Sequence, residues 1–228
     1  MSTVFFNRKR IKKFICLLAT AVTLGAVVCS ASFFTVKRVR WKRTYYFLVT
    51  EETHVEAGAA FAKLEGGAGY LIRQGDRDYV ALAVYLEEKD GKTVQAALKT
   101  TGEETKLLRV GVENLYFQTK REKKNADRYI GAFDCLQGCM TVLEECIFRL
   151  EKGLSQEKCK GILSELKNQF AFLSKDYGVE YAAFGSLCDD TAKRLETLLS
   201  DTLYAKDLRY LLCELAEKSV ALASAFSL

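Results

Sequence analysis

Hydrophobic and polar positions change rhythm three times along the chain. Residues 14–36 form a run of 23 without a charge, FICLLATAVTLGAVVCSASFFTV. As a helix rising about 1.5 Å per residue, this run reaches roughly 35 Å, enough to cross a hydrocarbon core of about 30 Å with some tilt. Residues 44–118 then alternate short apolar runs with Ala-rich ones. Residues 45–49 (YYFLV) predict a strand, and residues 55–64 (VEAGAAFAKL) a helix stopped by Gly66 and Gly67. Residues 69–73 predict a second strand, Gly75 and Asp76 a turn, and residues 79–85 (YVALAVY) a third strand. Residues 92–100 predict a second helix and residues 107–117 (LLRVGVENLYF) a fourth strand. Within that last run ENLYFQT resembles a viral protease recognition site, but it continues the apolar stretch and is read as strand.

Beyond residue 118 the period becomes helical. Tyr129, Phe133, Leu136, Met140, Leu143, Ile147 and Leu150 are spaced alternately four and three apart, one apolar stripe on one long helix. Gly153 closes it and Ser155 caps the next, whose stripe is Cys159, Leu163, Leu166, Phe170 and Leu173. Phe184, Leu187, Leu195 and Leu198 mark a third helix, and Leu208, Leu211, Leu215 and Leu222 a fourth. The expected architecture is α+β. It comprises an N-terminal transmembrane helix, a βαββαβ four-stranded antiparallel sheet with two helices on one face, and a C-terminal all-α helical bundle or pair of hairpins. Its boundaries fall at a basic tail (1–13), the span (14–36), a basic juxtamembrane segment (37–43), the α+β domain (44–118) and the bundle (119–228). The chain has no proline, which suits long uninterrupted helices and excludes Pro-rich linkers.

Charge changes the picture because it is uneven. Residues 1–43 hold ten Lys/Arg and no acid; the rest hold 24 Lys/Arg against 29 Asp/Glu. The net +5 therefore belongs to the flanks of the span, and nucleic acid is not an expected partner. Trp41, Tyr45 and Tyr46 are expected at the membrane interface. Two rivals to an uncleaved anchor are a signal peptide cut near Ser30, Ala31 and Ser32, and a lipoprotein processed at Cys29. The apolar run continues past the first site through Phe33, Phe34 and Val36, and Val-Val-Cys is a poor lipobox. Five basic residues on each side leave orientation tied.

Little chemistry is on offer. His54 is the single histidine, which argues against His-based triads and His-ligated metal. No Gly-rich phosphate loop is present. The acid pairs Asp189, Asp190 and Glu144, Glu145 read as solvated helix faces. Of eight cysteines, Cys16 and Cys29 lie in the span, and Cys135, Cys139, Cys146, Cys159, Cys188 and Cys213 in the helical half. Those six are either three disulfides, with 15 connectivities, or small buried hydrophobes. The expectation is a protein that is not an enzyme, with no metal and no cofactor; a Cys nucleophile is the remaining catalytic alternative.

YYFLVTEET, EAGAAFAKLEGGAGYLI, YVALAVY and the helix containing residues 93–98 together resemble the SPOR domain of bacterial division and sporulation proteins. The resemblance covers about a third of the chain. It implies an extracytoplasmic domain that binds peptidoglycan glycan strands lacking stem peptides through an open sheet face. It also implies a bacterial cell-membrane protein of single-pass type, N-terminus cytoplasmic. This chain departs from the family's polar positions: Phe47 and Leu48 stand in the first strand, and Ala81 and Ala83 in the third, so no glycan contact carries over residue by residue.

Strand alternation suggests what the open face holds. Val80, Leu82 and Val84 suit the helix-covered side; Tyr79, Ala81, Ala83 and Tyr85 then face outward with Tyr45 and Phe47. Tyr45, Phe47, Tyr79 and Tyr85 are thus the candidate glycan-binding residues, aromatic walls suited to sugar rings. The alternative is that the helical half covers this face. The expected function is a membrane-anchored cell-envelope protein binding peptidoglycan in division or sporulation. The alternative is a non-catalytic membrane scaffold whose bundle docks a protein partner.

Overall fold

The computed structural model describes residues 36–51, 54–153 and 155–227. The expected span, up to residue 35, lies outside the described residues, among which no helix is long and apolar enough to cross a membrane.

The chain is α+β. Its first part runs β1 (Lys37–Thr50), α1 (Val55–Leu64), β2 (Tyr70–Gln74), β3 (Arg77–Tyr85), α2 (Glu88–Thr100) and β4 (Lys106–Phe117). Four helices follow: α3 (Lys120–Glu151), α4 (Gln156–Tyr177), α5 (Ala182–Ser200) and α6 (Ala205–Ser224). The strands form one antiparallel sheet in the order β2-β3-β1-β4.

β1 begins eight residues earlier than the sequence pattern of residues 45–49 suggests. Its first half, expected as a juxtamembrane segment, pairs with the end of β4, from Lys37 opposite Phe117 to Arg40 opposite Asn114. The reason is an alternation that the charges obscure. Val39, Trp41, Tyr45, Phe47 and Val49 occupy every second position, apart from Arg43, and a strand buries them on one side. Trp41 lies on Phe133 with ring centroids 5.2 Å apart and donates its indole N–H to Asp134 at 3.1 Å. Arg43 also bonds Asp134, at 2.6 Å. Trp41 and Tyr45 are therefore core residues, not members of an interfacial belt.

α3 starts with a capping box. The Glu122 N–H donates to the Thr119 hydroxyl at 3.1 Å, and the Glu122 carboxylate accepts from the Thr119 N–H at 2.9 Å. Its expected stripe is buried from Tyr129 to Ile147, and the stripes of α4 to α6 are buried likewise apart from the partly buried Leu198 and Leu222. α6 contacts all four strands and packs beside α3; α4 and α5 form a hairpin beyond them. Gly178 and Gly185 let that hairpin close: a Cβ on Gly185 would stand 2.6 Å from the Gly178 Cα.

The α+β part and the bundle share buried residues. One cluster of buried residues runs from Tyr45, Phe47 and Tyr79 in the sheet through Leu136 and Met140 of α3 to Leu208 and Leu215 of α6. At roughly 1.5–3 kcal/mol for each large apolar side chain buried, the joint core is a main source of stability for both parts.

Candidate functional site

The aromatic groove expected on the open sheet face is not a surface. Tyr45, Phe47 and Tyr79 are 1%, 0% and 3% exposed, sealed under the bundle. The Tyr45 hydroxyl donates to Gln137 Oε1 of α3 at 2.9 Å and lies 3.3 Å from Ser219 Oγ of α6. The Tyr70 hydroxyl donates to Glu217 of α6. Burial pushes the Tyr45 and Tyr70 hydroxyls above the usual phenol range.

Tyr85 is not on that face at all. Register places Leu48 opposite Ala83 but Val49 opposite Ala81, so Leu82 is an extra residue in β3. Such a bulge sets two successive side chains on one side and reverses the alternation beyond it. Tyr79 and Ala81 consequently face the bundle, whereas Ala83 and Tyr85 face α1 and α2, and Val84 turns to the bundle. Strict alternation through residues 79–85 put all four candidates together; the structure brings only Tyr45, Phe47 and Tyr79 to one side.

The accessible concavity lies on the opposite side of the sheet. α1 packs on β2 and β3, and α2 on β1, β3 and β4, leaving between them a cleft of about 640 Å³. Leu48, Leu82 and Ala83 floor it, Phe61 and Ala62 of α1 form one wall, and Val94 and Leu98 of α2 the other. Phe61 and the neighbouring Leu64 are 64% and 79% exposed. Glu51, Glu65, Glu103 and Glu104 stand at the rim, with Glu51 paired to Arg77 at 2.8 Å. A second cleft of about 710 Å³ lies between α2 and α3, and both share Ala83, Tyr85, Val94 and Arg209.

Arg209 of α6 joins them. It donates to the Gly66 carbonyl and to Glu151 of α3, holding the loop after α1 against the bundle. Burial draws its pKa below the usual guanidinium value. Glu144 of α3 accepts the Leu86 N–H at 3.1 Å, and burial raises its carboxyl above the usual range. Gly91 lets α2 sit this close to the sheet: a Cβ there would fall 2.8 Å from Leu107 and 3.2 Å from the Tyr85 ring.

Sequence reasoning named Tyr85 and missed Phe61, Leu64 and Arg209. A signal existed for the first two. Apolar positions in residues 55–64 exceed the single stripe that a short helix needs to cover a sheet. Arg209 carried none, because its role depends on three elements meeting.

The cysteines of the bundle are mostly sealed. Cys139, Cys146, Cys159, Cys188 and Cys213 are buried free thiols, and Cys135 is exposed. Burial pushes Cys139 and Cys146 up to about 11 and Cys188 to about 12, the reverse of thiolate activation. His54 is exposed at the start of α1 and makes no side-chain cap bond. Among the described residues no group of three or more His, Cys, Asp or Glu has the arrangement of a metal site. Comparison with family models, curated proteins and solved structures finds no match to the chain.

Proposed function

We propose that the chain is a membrane-tethered, non-catalytic docking module whose α1–α2 cleft receives an amphipathic segment of a partner protein. The observation that carries this reading is the cleft between α1 and α2, with Phe61 of its wall 64% exposed and Leu64 exposed elsewhere on α1. Exposed large apolar residues beside a groove mark interaction sites more often than chance surface. The occupant is specified by charge. Three rim carboxylates in addition to the paired Glu51 favour a segment whose apolar anchors are flanked by Lys or Arg. The tether is residues 14–36, uncharged for a bilayer's width and basic at both ends. Glycan binding has lost the aromatic surface on which it rested, since three of its four residues are sealed.

Selection of random peptides displayed on phage against the full chain tests this. The recovered peptides are expected to carry apolar anchors with basic flanks, and to bind the double variant Phe61→Asp, Leu64→Asp at least tenfold more weakly. Recovery of acidic peptides, or of peptides that bind both forms equally, overturns the reading.

A further inference from the structure

We infer that the end of the domain where the chain emerges from residues 14–36 is a docking face for anionic lipid headgroups, built from two segments distant in sequence. The inference rests on the tether reading above. β1 starts at Lys37, the residue after the uncharged run, so no linker separates the fold from that run. The pairing of Lys37 with Phe117 brings the start of α3 to the same end. The Lys37 ammonium lies 3.6 Å from Asp127 in the second turn of α3.

Charge is concentrated there. Residues 37–43 carry five Lys/Arg and no acid, and residues 120–124 carry four against Glu122. The remainder after residue 43 holds 20 Lys/Arg and 28 Asp/Glu, a charge of −8. Lys37, Arg38, Arg40, Lys120, Arg121 and Lys124 are all exposed. On β1, Arg38, Arg40 and Lys42 alternate with the buried Trp41, so burying one set of positions presents the other to solvent.

The helix dipole does not favour cations at the start of α3. A helix N-terminus carries partial positive charge and favours acids, so four cations in its first five residues oppose the dipole. Glu122, the one acid among them, is used by the capping box. An anionic plane outside the protein meets the exposed Arg38, Arg40, Lys120, Arg121 and Lys124 together. Its attraction acts within a Debye length of about 8 Å, so the face has to lie next to the membrane for the effect. Arg38 is held partly in place by Asn114 at 3.2 Å and by the Tyr116 ring at 5.8 Å, so this part of the face is ordered before it meets lipid.

Lysine acetylation footprinting by mass spectrometry on the full chain reads this directly. The probes are nanodiscs of phosphatidylcholine alone and nanodiscs with one third phosphatidylglycerol. Lys37, Lys120 and Lys124 are expected to react at least threefold more slowly in the anionic discs, with the difference lost in high salt. Lys152 and Lys158, at the far end of α3 some 48 Å away, serve as controls and keep one rate. In the variant Lys120→Glu, Arg121→Glu, Lys124→Glu the slowing at Lys37 is expected to disappear. Equal rates in both discs, or slowing spread evenly over all lysines, overturn the docking face. Failure of the tether shows differently: the chain then stays in solution without lipid or detergent and does not purify with discs of either composition.

Discussion

The two faces of the sheet are built from similar residues and end in different states. Toward the bundle, Tyr45, Phe47, Val49, Tyr70, Ile72, Tyr79 and Ala81 are all buried, and the hydroxyls of Tyr45 and Tyr70 find partners on α3 and α6. Toward α1 and α2, Leu48 and Ala83 are buried too, at the base of clefts, but Phe61 and Leu64 of the covering helix stay exposed. The difference is one of cover. Helices of about 10 Å diameter close a four-stranded sheet only when they touch. α1 and α2 have ten and thirteen residues and are not packed together, whereas α6, backed by α3 and the α4–α5 hairpin, lies across all four strands. The aromatic face is thus closed by the bundle, whereas the cover of the aliphatic face leaves a cleft between two helices.

The largest test of that contrast is truncation on either side. Phe47→Ala, in the joint core, is expected to lose about 3–5 kcal/mol by urea denaturation. Phe61→Ala, on the cleft wall, is expected to change stability by less than about 0.5 kcal/mol. Equal losses would mean that the cleft is closed in solution. A split into two transitions after Phe47→Ala would mean that sheet and bundle fold separately, against the shared core.

Much of this fold was legible from residues alone, and the misses have definite causes. The order βαββαβ and the four helices follow from period, because stripes such as residues 129–150 have no other way to be buried. Residues 37–43 read as a charged flank because basic residues at 38, 40 and 42 masked the apolar positions 39 and 41 between them. The candidate site failed at two points. A bulge at Leu82 leaves no mark in composition, yet it moves Tyr85 to the other face. Cover is a tertiary property: a strand with one buried face and a strand with two read alike when the second cover comes from residues 90 positions away.

A second, smaller effect distinguishes the dry side from the wet one by pH. Cys139, Cys146 and Cys188 lie in the bundle beneath the aromatic face, with thiols at about 11, 11 and 12 against an ordinary 9.0. Folded values above unfolded ones give stability that is complete below pH 9 and lost as pH rises toward 11–12. Each such thiol contributes a slope of at most about 1.4 kcal/mol per pH unit in that window. Tyr45 and Tyr181, also raised by burial, add to the slope above pH 10. Urea midpoints at pH 8 and pH 10.5 measure it, and Cys146→Ala is expected to flatten it. An unchanged slope in that variant would show that the site is wetter than the packing implies. At pH 8, alkylation followed by mass spectrometry is expected to mark Cys135 before the other five.

Arg209 stands where the faces meet, and its removal comes next in size. Arg209→Met keeps the stem against Leu212 and Tyr85 but loses the bonds to the Gly66 carbonyl and Glu151. The expected cost is about 1–2 kcal/mol, since one bond is to a charged partner that is exposed. Faster amide exchange is expected at Gly66 and Gly67, with α3 unchanged. Exchange that rises equally throughout α3 would make Arg209 a core support, not a latch between the clefts.

The smallest expected change in stability carries the most about function. Phe61→Ser with Leu64→Ser removes the two most exposed apolar residues of α1 while leaving Ala62, the residue that seats the helix, in place. Both side chains stay mostly in water after folding, so the pair together is expected to shift stability by less than about 1 kcal/mol. Binding obeys the opposite arithmetic, because side chains exposed in the free protein release their apolar surface only when a partner covers it. A variant that folds with the parent's urea midpoint and loses affinity for a basic-flanked amphipathic peptide by tenfold or more assigns these residues to recognition. A variant that keeps its affinity places the contact elsewhere, and the cleft then has no role in docking.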